Sequence, residues 1–185
     1  MKLRMFSSLL SAAFGAAILV TSLATPQVSL GAPPGPIYAQ LSSSMSQKAS
    51  LTGTLVTMDS NDALGGLEHD DKGKGSDITI KTDGVYFMVA AIQVAKETGD
   101  ADDYIDVWMK QNGKDVDNSG CRQVIKDPKF TTVLVCQGIA ECKAGDKFNV
   151  VISSNTADSG VGIVKIAPKG EPAIPSIIFS IYKIN

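Results

Sequence analysis

The only histidine is the first candidate for chemistry in this sequence. His69 lies in the motif Glu68-His69-Asp70-Asp71, where an imidazole among carboxylates could act as a general base or as a metal ligand. No Gly-x-Ser-x-Gly elbow supplies a nucleophile for it to activate. We therefore interpret His69 as a solvated loop residue, keep a histidine-carboxylate metal site as the alternative, and assign no catalytic residue.

A short acidic run could supply oxygen ligands to calcium, a hard cation that takes several carboxylates and carbonyls. Its members are Asp100, Asp102 and Asp103. The run lacks the glycine and the distant glutamate of an EF-hand loop, so a solvated acidic loop is the favoured interpretation and calcium the alternative. A weaker second candidate lies around Asp59, Asn61 and Asp62. No other cofactor is expected.

A row of mixed side chains surrounds the only tryptophan. Tyr104, Asp106, Trp108 and Lys110 alternate with apolar residues, so they share one face of a predicted strand. An aromatic ring among polar groups could be a platform on which a sugar stacks. Packing of Trp108 against a core or a partner is the favoured interpretation.

The first 24 residues have the three parts of a secretory signal peptide: the basic residues Lys2 and Arg4, an apolar run, and Ser22-Leu23-Ala24 before the cleavage site. A later cut after Ala39 and an uncleaved amino-terminal anchor are the alternatives. No other run approaches the roughly 20 apolar residues of a membrane-spanning helix. We expect a secreted or cell-surface protein with no membrane span after cleavage.

The charge of the chain argues against two classes of partner. Its 17 basic and 19 acidic residues give a net charge of -2, and removal of the signal peptide takes away two of the basic ones. Nucleic acids and anionic membrane surfaces both require a basic patch. Neither is an expected partner.

Three cysteines, Cys121, Cys136 and Cys142, lie in one region of a chain predicted to be exported, where disulfides persist. Their spacing fits no zinc pattern. If residues 121–126 and 130–136 form a hairpin, Cys121 and Cys136 face each other across it. We predict a disulfide between these two and a free thiol at Cys142.

Residues 25–47 are rich in Pro, Gly, Ser and Ala and predict a flexible tether. The glycines Gly31 and Gly35 are four apart, which excludes the three-residue glycine repeat of collagen. One folded domain is expected over residues 48–185.

The central part of this domain predicts a strand that is apolar on both faces. Residues 83–94 place Val85, Phe87, Val89 and Ala91 on one side and Tyr86, Met88, Ala90, Ile92 and Val94 on the other. One face of an antiparallel sheet normally meets water, so the second apolar face indicates a partner subunit. Residues 177–184 have the same character.

The rest of the domain alternates short strands with turns. Residues 59–74 are predicted to be a long polar loop, and Asn112-Gly113 is the pair that a two-residue hairpin turn prefers. About nine or ten strands at this spacing predict an all-β, antiparallel sandwich or barrel.

Several short motifs in this order resemble the C1q/tumour necrosis factor-like globular heads, over about residues 48–185. The motifs are Gly84-Val85-Tyr86-Phe87, Val107-Trp108-Met109-Lys110-Gln111-Asn112-Gly113, Val133-Leu134-Val135, Ala144-Gly145-Asp146-Lys147-Phe148-Asn149-Val150 and Pro175-Ser176-Ile177-Ile178-Phe179-Ser180-Ile181-Tyr182. The resemblance implies a ten-stranded jelly roll that forms a homotrimer, with its two chain ends together at the base. The short tether and the few aromatic residues of the central strand suggest a free-standing or bacterial version.

The resemblance implies a structural or binding role without catalysis, so we expect a non-enzymatic homotrimer for extracellular recognition or surface structure, with a protein or glycan as its partner. The alternatives are a fibre or matrix subunit that polymerises by strand exchange, and a carbohydrate-binding or carbohydrate-active jelly roll. The candidate subunit contacts are Tyr86, Phe87, Met88, Ile178, Phe179 and Tyr182.

Overall fold

The computed structural model describes residues 35–73 and 75–185, and all regular secondary structure in this part of the chain is β-strand. The predicted signal peptide and residues 25–34 of the predicted tether lie outside the described residues. Ten of the strands have three or more residues, in agreement with the nine or ten expected. Together with four two-residue strands, they form two seven-stranded sheets in which every paired strand is antiparallel.

Sheet I contains the first and the last strand. Its order is β2-β13-β7-β14-β1-β4, with β11 pairing on the other edge of β7. The strands are β1 (Tyr38–Ser43), β2 (Gln47–Lys48), β4 (Ser60–Gly65), β7 (Gly84–Ala95), β11 (Thr132–Cys142), β13 (Gly162–Ile163) and β14 (Ile177–Lys183).

Sheet II covers the inner face of sheet I. Its order is β10-β8-β12-β6-β5, with β3 pairing β12 and β9 pairing β8. The strands are β3 (Thr54–Leu55), β5 (Leu67–His69), β6 (Ile78–Ile80), β8 (Asp103–Gln111), β9 (Lys114–Asp115), β10 (Cys121–Ile125) and β12 (Lys147–Ser154).

The long strand β7 is the centre of sheet I, and its two apolar faces meet different surroundings. Tyr86, Met88, Ala90, Ile92 and Val94 point into the sandwich and are at most 1% exposed. They pack against inward residues of sheet II such as Ile105, Val107 and Ile152 in one continuous core. Burial of Met88, Ile92 or Val94 stabilises the fold by roughly 1.5–3 kcal/mol each. The opposite row of β7 lies on the outer face of sheet I and is half-buried.

The turn predicted at Asn112-Gly113 is confirmed. Asn112 and Gly113 have φ of 53° and 78°, and they join β8 to β9 with Gln111 paired to Lys114. A two-residue turn needs positive φ at both positions, which asparagine and glycine tolerate. The dipeptide therefore sets the register of this hairpin.

The domain begins earlier than residue 48, so the prediction of a flexible tether to residue 47 is wrong in its last part. Strand β1 pairs with β14 on one edge and with β4 on the other. Its inward residues are Ala39, Leu41 and Ser43. Two of these are small or polar, so the sequence signal is weak, and backbone pairing on both edges holds the strand in place.

Residues 59–74 are not the long loop that their polarity predicted. Strands β4 and β5 lie within this segment, and Gly66, with φ of 70°, sits between them. Leu67 and His69 point into the core while Glu68 points to solvent. This two-residue periodicity is short and is masked by the flanking charges.

Candidate functional site

A band of apolar side chains crosses the outer face of sheet I. The strand register places Ile139 of β11 beside Phe87 of β7, Phe87 beside Tyr182 of β14, and Tyr182 beside Tyr38 of β1. The Phe87 and Tyr182 rings lie 5.4 Å apart at 48°. Four strands thus contribute one continuous row, which we call the aromatic row.

A second apolar row runs parallel to the first, four residues from it along each strand. It contains Val135, Ala91 and Ile178. Between the two rows lies a more polar line, in which Gln137 and Ser180 flank Val89. The outer face of sheet I is therefore apolar along two bands with hydrogen-bonding groups between them.

These side chains are exposed to an extent that is unusual for large apolar residues. The exposed fractions are 66% for Ile139, 52% for Val135, 51% for Val133, 49% for Tyr182, 41% for Tyr38 and 38% for Ile178. Isolated exposed apolar residues are ordinary, but a contiguous apolar patch marks an interaction surface or an aggregation hazard. We call this surface, formed by the two rows and Val133, the sheet I face.

Both ends of the described domain meet beside the aromatic row. The amide of Lys183 donates to the carbonyl of Ile37 at 3.0 Å, and Tyr38 pairs with Tyr182. The resemblance implied that the chain ends would be together, and this arrangement agrees with it.

The structure divides the six predicted subunit contacts into two groups. Phe87, Ile178 and Tyr182 lie on the sheet I face. Tyr86, Met88 and Phe179 are at most 1% exposed inside the sandwich, so their prediction as interface residues is wrong. Neighbouring positions in a strand point to opposite sides, and the sequence did not show which parity faces outward.

Sequence reasoning missed the contribution of β11 and β1 to this face. Val133, Val135 and Ile139 alternate along β11 with residues that point inward, such as Cys136. That alternation was available in the sequence. These residues belong to the sheet I face because β11 pairs with β7 and not with β10.

The acidic run does not gather its carboxylates around a common point. Lys96, which is 3% exposed, places its Nζ 3.3 Å from Asp103 Oδ2 and donates to the carbonyl of Ala101 at 2.6 Å. Asp102 forms an exposed ion pair with Lys126 at 3.5 Å. Asp103 is thus a structural partner of a buried lysine, and the prediction of Asp100, Asp102 and Asp103 as a calcium site is not supported.

The second acidic candidate is also engaged in local hydrogen bonds. Asp62 accepts from Ser42 and Ser60, and Asn61 contacts His69. Among residues 35–73 and 75–185, no group of three or more His, Cys, Asp or Glu side chains could hold a metal ion.

His69 is buried, so its interpretation as a solvated loop residue is wrong. It belongs to β5, where it pairs with Ile78 of β6. Its Nδ1 lies 2.7 Å from Asn61 Oδ1 and its Nε2 lies 3.1 Å from the carbonyl oxygen of Gly75. Both ring nitrogens are held by structural partners, which leaves none directed at a substrate.

Cys121 and Cys136 are brought together, but not by the predicted hairpin. Strand β10 pairs with β8 in sheet II and β11 pairs with β7 in sheet I, so the hairpin prediction is wrong. The two thiols contact each other across the sheets, and all three cysteines are free. Burial, and then the hydrogen bond with Cys121, raises the pKa of Cys136. Burial raises the pKa of Cys142 to about 11.

Trp108 lies on the outer face of sheet II, half-buried, on the side of the domain opposite the sheet I face. Its Nε1 donates to Asp115 Oδ1 at 2.6 Å. Trp108 is not part of the core, so packing against the core is wrong, and its indole lies close to Gly53, where a Cβ atom would be 3.2 Å from the ring.

Two facing antiparallel sheets with this strand order define an all-β jelly roll. A crystal structure of murine APRIL at pH 5.0 has the same fold, with a TM-score of 0.54 and 13% identity over 81% of this chain and 100% of that one. Neither a protein-family model nor a curated protein matches the sequence. No helix among the described residues is long and apolar enough to cross a membrane.

Proposed function

We propose that this chain is a secreted, non-enzymatic module that assembles into a homotrimer through its sheet I face and serves extracellular recognition or surface structure. The observation that carries the proposal is the contiguous apolar surface formed by the aromatic row and its neighbours. A secreted chain that left this surface in water would tend to aggregate. A second copy of the same chain offers a complementary apolar surface.

The shape of the face favours a closed assembly. Three of the exposed apolar residues lie on β11, which pairs with β7, and the aromatic row crosses sheet I from β11 to Tyr38 on β1. Two different patches that meet head to tail close into a ring when the rotation permits it. The polar line that contains Gln137 and Ser180 gives each interface hydrogen-bonding groups that set its register.

Strand exchange into a fibre has less support. Strand β1, the segment that would be donated, is already paired on both edges within its own sheet. Exchange would require β1 to leave that sheet and expose the buried Leu41. An enzymatic role also has less support, because the candidate residues His69 and Asp103 are held by structural partners.

Light scattering coupled to size-exclusion chromatography tests the assembly. We expect a trimer for the wild-type chain and a monomer for Ile139→Glu, because the interface would have to desolvate the new carboxylate. Ile139 is 66% exposed in the isolated domain, so the substitution should leave the thermal unfolding of the monomer nearly unchanged.

Val124→Glu is the matched control. Val124 is 43% exposed and lies on β10 of sheet II, away from the sheet I face. This variant should remain trimeric. A monomeric wild-type chain at micromolar concentration, or dissociation by Val124→Glu and not by Ile139→Glu, would contradict the proposal.

A further inference from the structure

The outer face of sheet II carries a groove of about 510 Å³ beside Trp108, a size within the range of small-ligand sites. Asp106, Trp108, Gly120, Arg122 and Ser153 contribute to its lining. The groove is on the opposite side of the domain from the sheet I face. An occupant would therefore not require the assembly proposed above.

Gly120 leaves open space in the lining of the groove. Trp108 lies beside Val151, its partner on β12, and also lines the groove. A Cβ atom on Gly120 would meet only the carbonyl oxygen of Val107, at 4.0 Å. A side chain at position 120 would therefore enter the groove that Trp108 also lines.

The indole is held in place before any ligand arrives. Its Nε1 is fixed by Asp115 at 2.6 Å, and the backbone of Gly53 lies against its six-membered ring. Lys110 forms an ion pair with the same Asp115 carboxylate at 3.2 Å. A ring that is already immobilised loses little conformational entropy when a ligand stacks on it.

The polar wall of the groove is equally well ordered. Arg122 forms two parallel hydrogen bonds with Asp106, Nε to Oδ1 at 2.6 Å and Nη2 to Oδ2 at 2.7 Å. Its Cζ lies 3.7 Å from the centre of the Tyr104 ring. Ser153 stands opposite Asp106 on β12. The carboxylate of Asp106 keeps free lone pairs and the guanidinium of Arg122 keeps free N–H groups, so this wall can still accept and donate directional hydrogen bonds.

We propose that this groove binds a neutral oligosaccharide, with one pyranose ring stacked on Trp108 and its hydroxyl groups hydrogen-bonded to Asp106, Arg122 and Ser153. A pyranose has an apolar C–H face and a rim of hydroxyls, which matches an aromatic platform next to a polar wall. The carboxylate and the guanidinium neutralise each other. A charged ligand therefore gains no net attraction there.

Two other occupants fit the groove less well. A nucleic acid would stack a base on Trp108, but it requires positive charge along its backbone, and this chain has a net charge of -2. An apolar peptide segment would cover Asp106 and Arg122 and remove them from water without offering hydrogen bonds. A neutral polyhydroxyl ligand needs no basic patch, and its hydroxyl groups replace the hydrogen bonds that Asp106 and Arg122 lose with water.

The single tryptophan makes the test direct, because the intrinsic tryptophan fluorescence of this chain reports on the groove alone. The purified chain is titrated separately with cellohexaose, chitohexaose and, as an anionic comparison, hexagalacturonic acid. We expect a saturable change in emission with at least one neutral hexasaccharide. Binding to the anionic probe should be weaker by about tenfold or more, equivalent to about 1.4 kcal/mol.

Gly120→Leu keeps Trp108 and places a side chain in the groove, so it should weaken binding by at least about tenfold. Gly138→Leu is the matched control, since a Cβ atom at Gly138 meets no atom within 4 Å and the residue lies on β11 of sheet I. Thermal unfolding checks that both variants fold. Absence of a saturable change with both neutral probes, equal binding of the anionic probe, or unweakened binding by a folded Gly120→Leu would overturn the assignment. None of these outcomes depends on the oligomeric state.

Discussion

Oxidation of Cys121 and Cys136 should join the two sheets covalently. Cys121 lies on β10 of sheet II and Cys136 on β11 of sheet I, and their thiols are already in contact. Cys121 is half-buried and Cys136 is 1% exposed, so an oxidant reaches Cys121 first. The raised pKa of Cys136 keeps that thiol protonated, and the reaction should therefore be slow near neutral pH.

The stabilisation follows from the loop that the bond would close. A disulfide across a loop of about 15 residues lowers the entropy of the unfolded chain by the equivalent of about 3 kcal/mol at 25 °C. For a domain of this size each kcal/mol raises Tm by about 2–4 °C, so we expect an increase of about 6–12 °C. Strain in the folded state would reduce this gain.

Calorimetry of the chain with and without a reductant measures the effect, and alkylation followed by mass spectrometry identifies the bonded cysteines. Cys121→Ser and Cys136→Ser should each abolish the difference in Tm. Cys142→Ser should retain it, because Cys142 lies at the end of β11, away from this pair. If prolonged oxidation left both Cys121 and Cys136 open to alkylation in the unfolded chain, the reasoning from their contact would be refuted.

Two further outcomes are expected from the core and from the turn after β11. Phe179→Asp should prevent folding, because it places a charge in the core, whereas Phe87→Asp should fold and fail only to assemble; circular dichroism and light scattering separate the two outcomes. Asp146 accepts hydrogen bonds from Asn112, Gln111 and the amide of Lys143, and these, led by Asn112, lower its pKa below the ordinary 3.8. The stabilisation from ionised Asp146 is therefore present above pH 3.8 and is lost as the pH falls through its pKa in the folded state. Urea titrations from neutral pH to about pH 3 measure this change. The free energy of unfolding should fall less for Asp146→Asn than for wild type.

Much of the fold could be predicted from local pattern. The two-residue periodicity of 83–94 predicted β7, and Asn112-Gly113 predicted the hairpin between β8 and β9. Elements that depend on pairing were predicted poorly. Strand β1 has only one large apolar residue, Leu41, and it exists because β14 and β4 satisfy its backbone groups on both edges.

The candidate sites were also predictable only where they depend on local pattern. Aromatic and apolar residues on both parities of β7 and β14 indicated that something must cover a second face, but Tyr86 and Phe87 could not be assigned to opposite faces without knowing where sheet II lies. The acidic run suggested a calcium ion. In the structure, the cation beside Asp103 is the ammonium group of Lys96, which lies at the other end of the same loop.

By itself, the sequence determined which segments are extended, that both faces of the central strand avoid water, and that the protein is acidic and rich in strands. These properties follow from side-chain chemistry and from the two-residue repeat of a strand. Only the tertiary structure decided which strands are neighbours. Contacts such as Ile139 with Phe87, Arg122 with Asp106 and Cys121 with Cys136 arise from strand pairing or sheet packing between residues that are distant in sequence. No local pattern encodes them, because they depend on how the whole chain closes around its core.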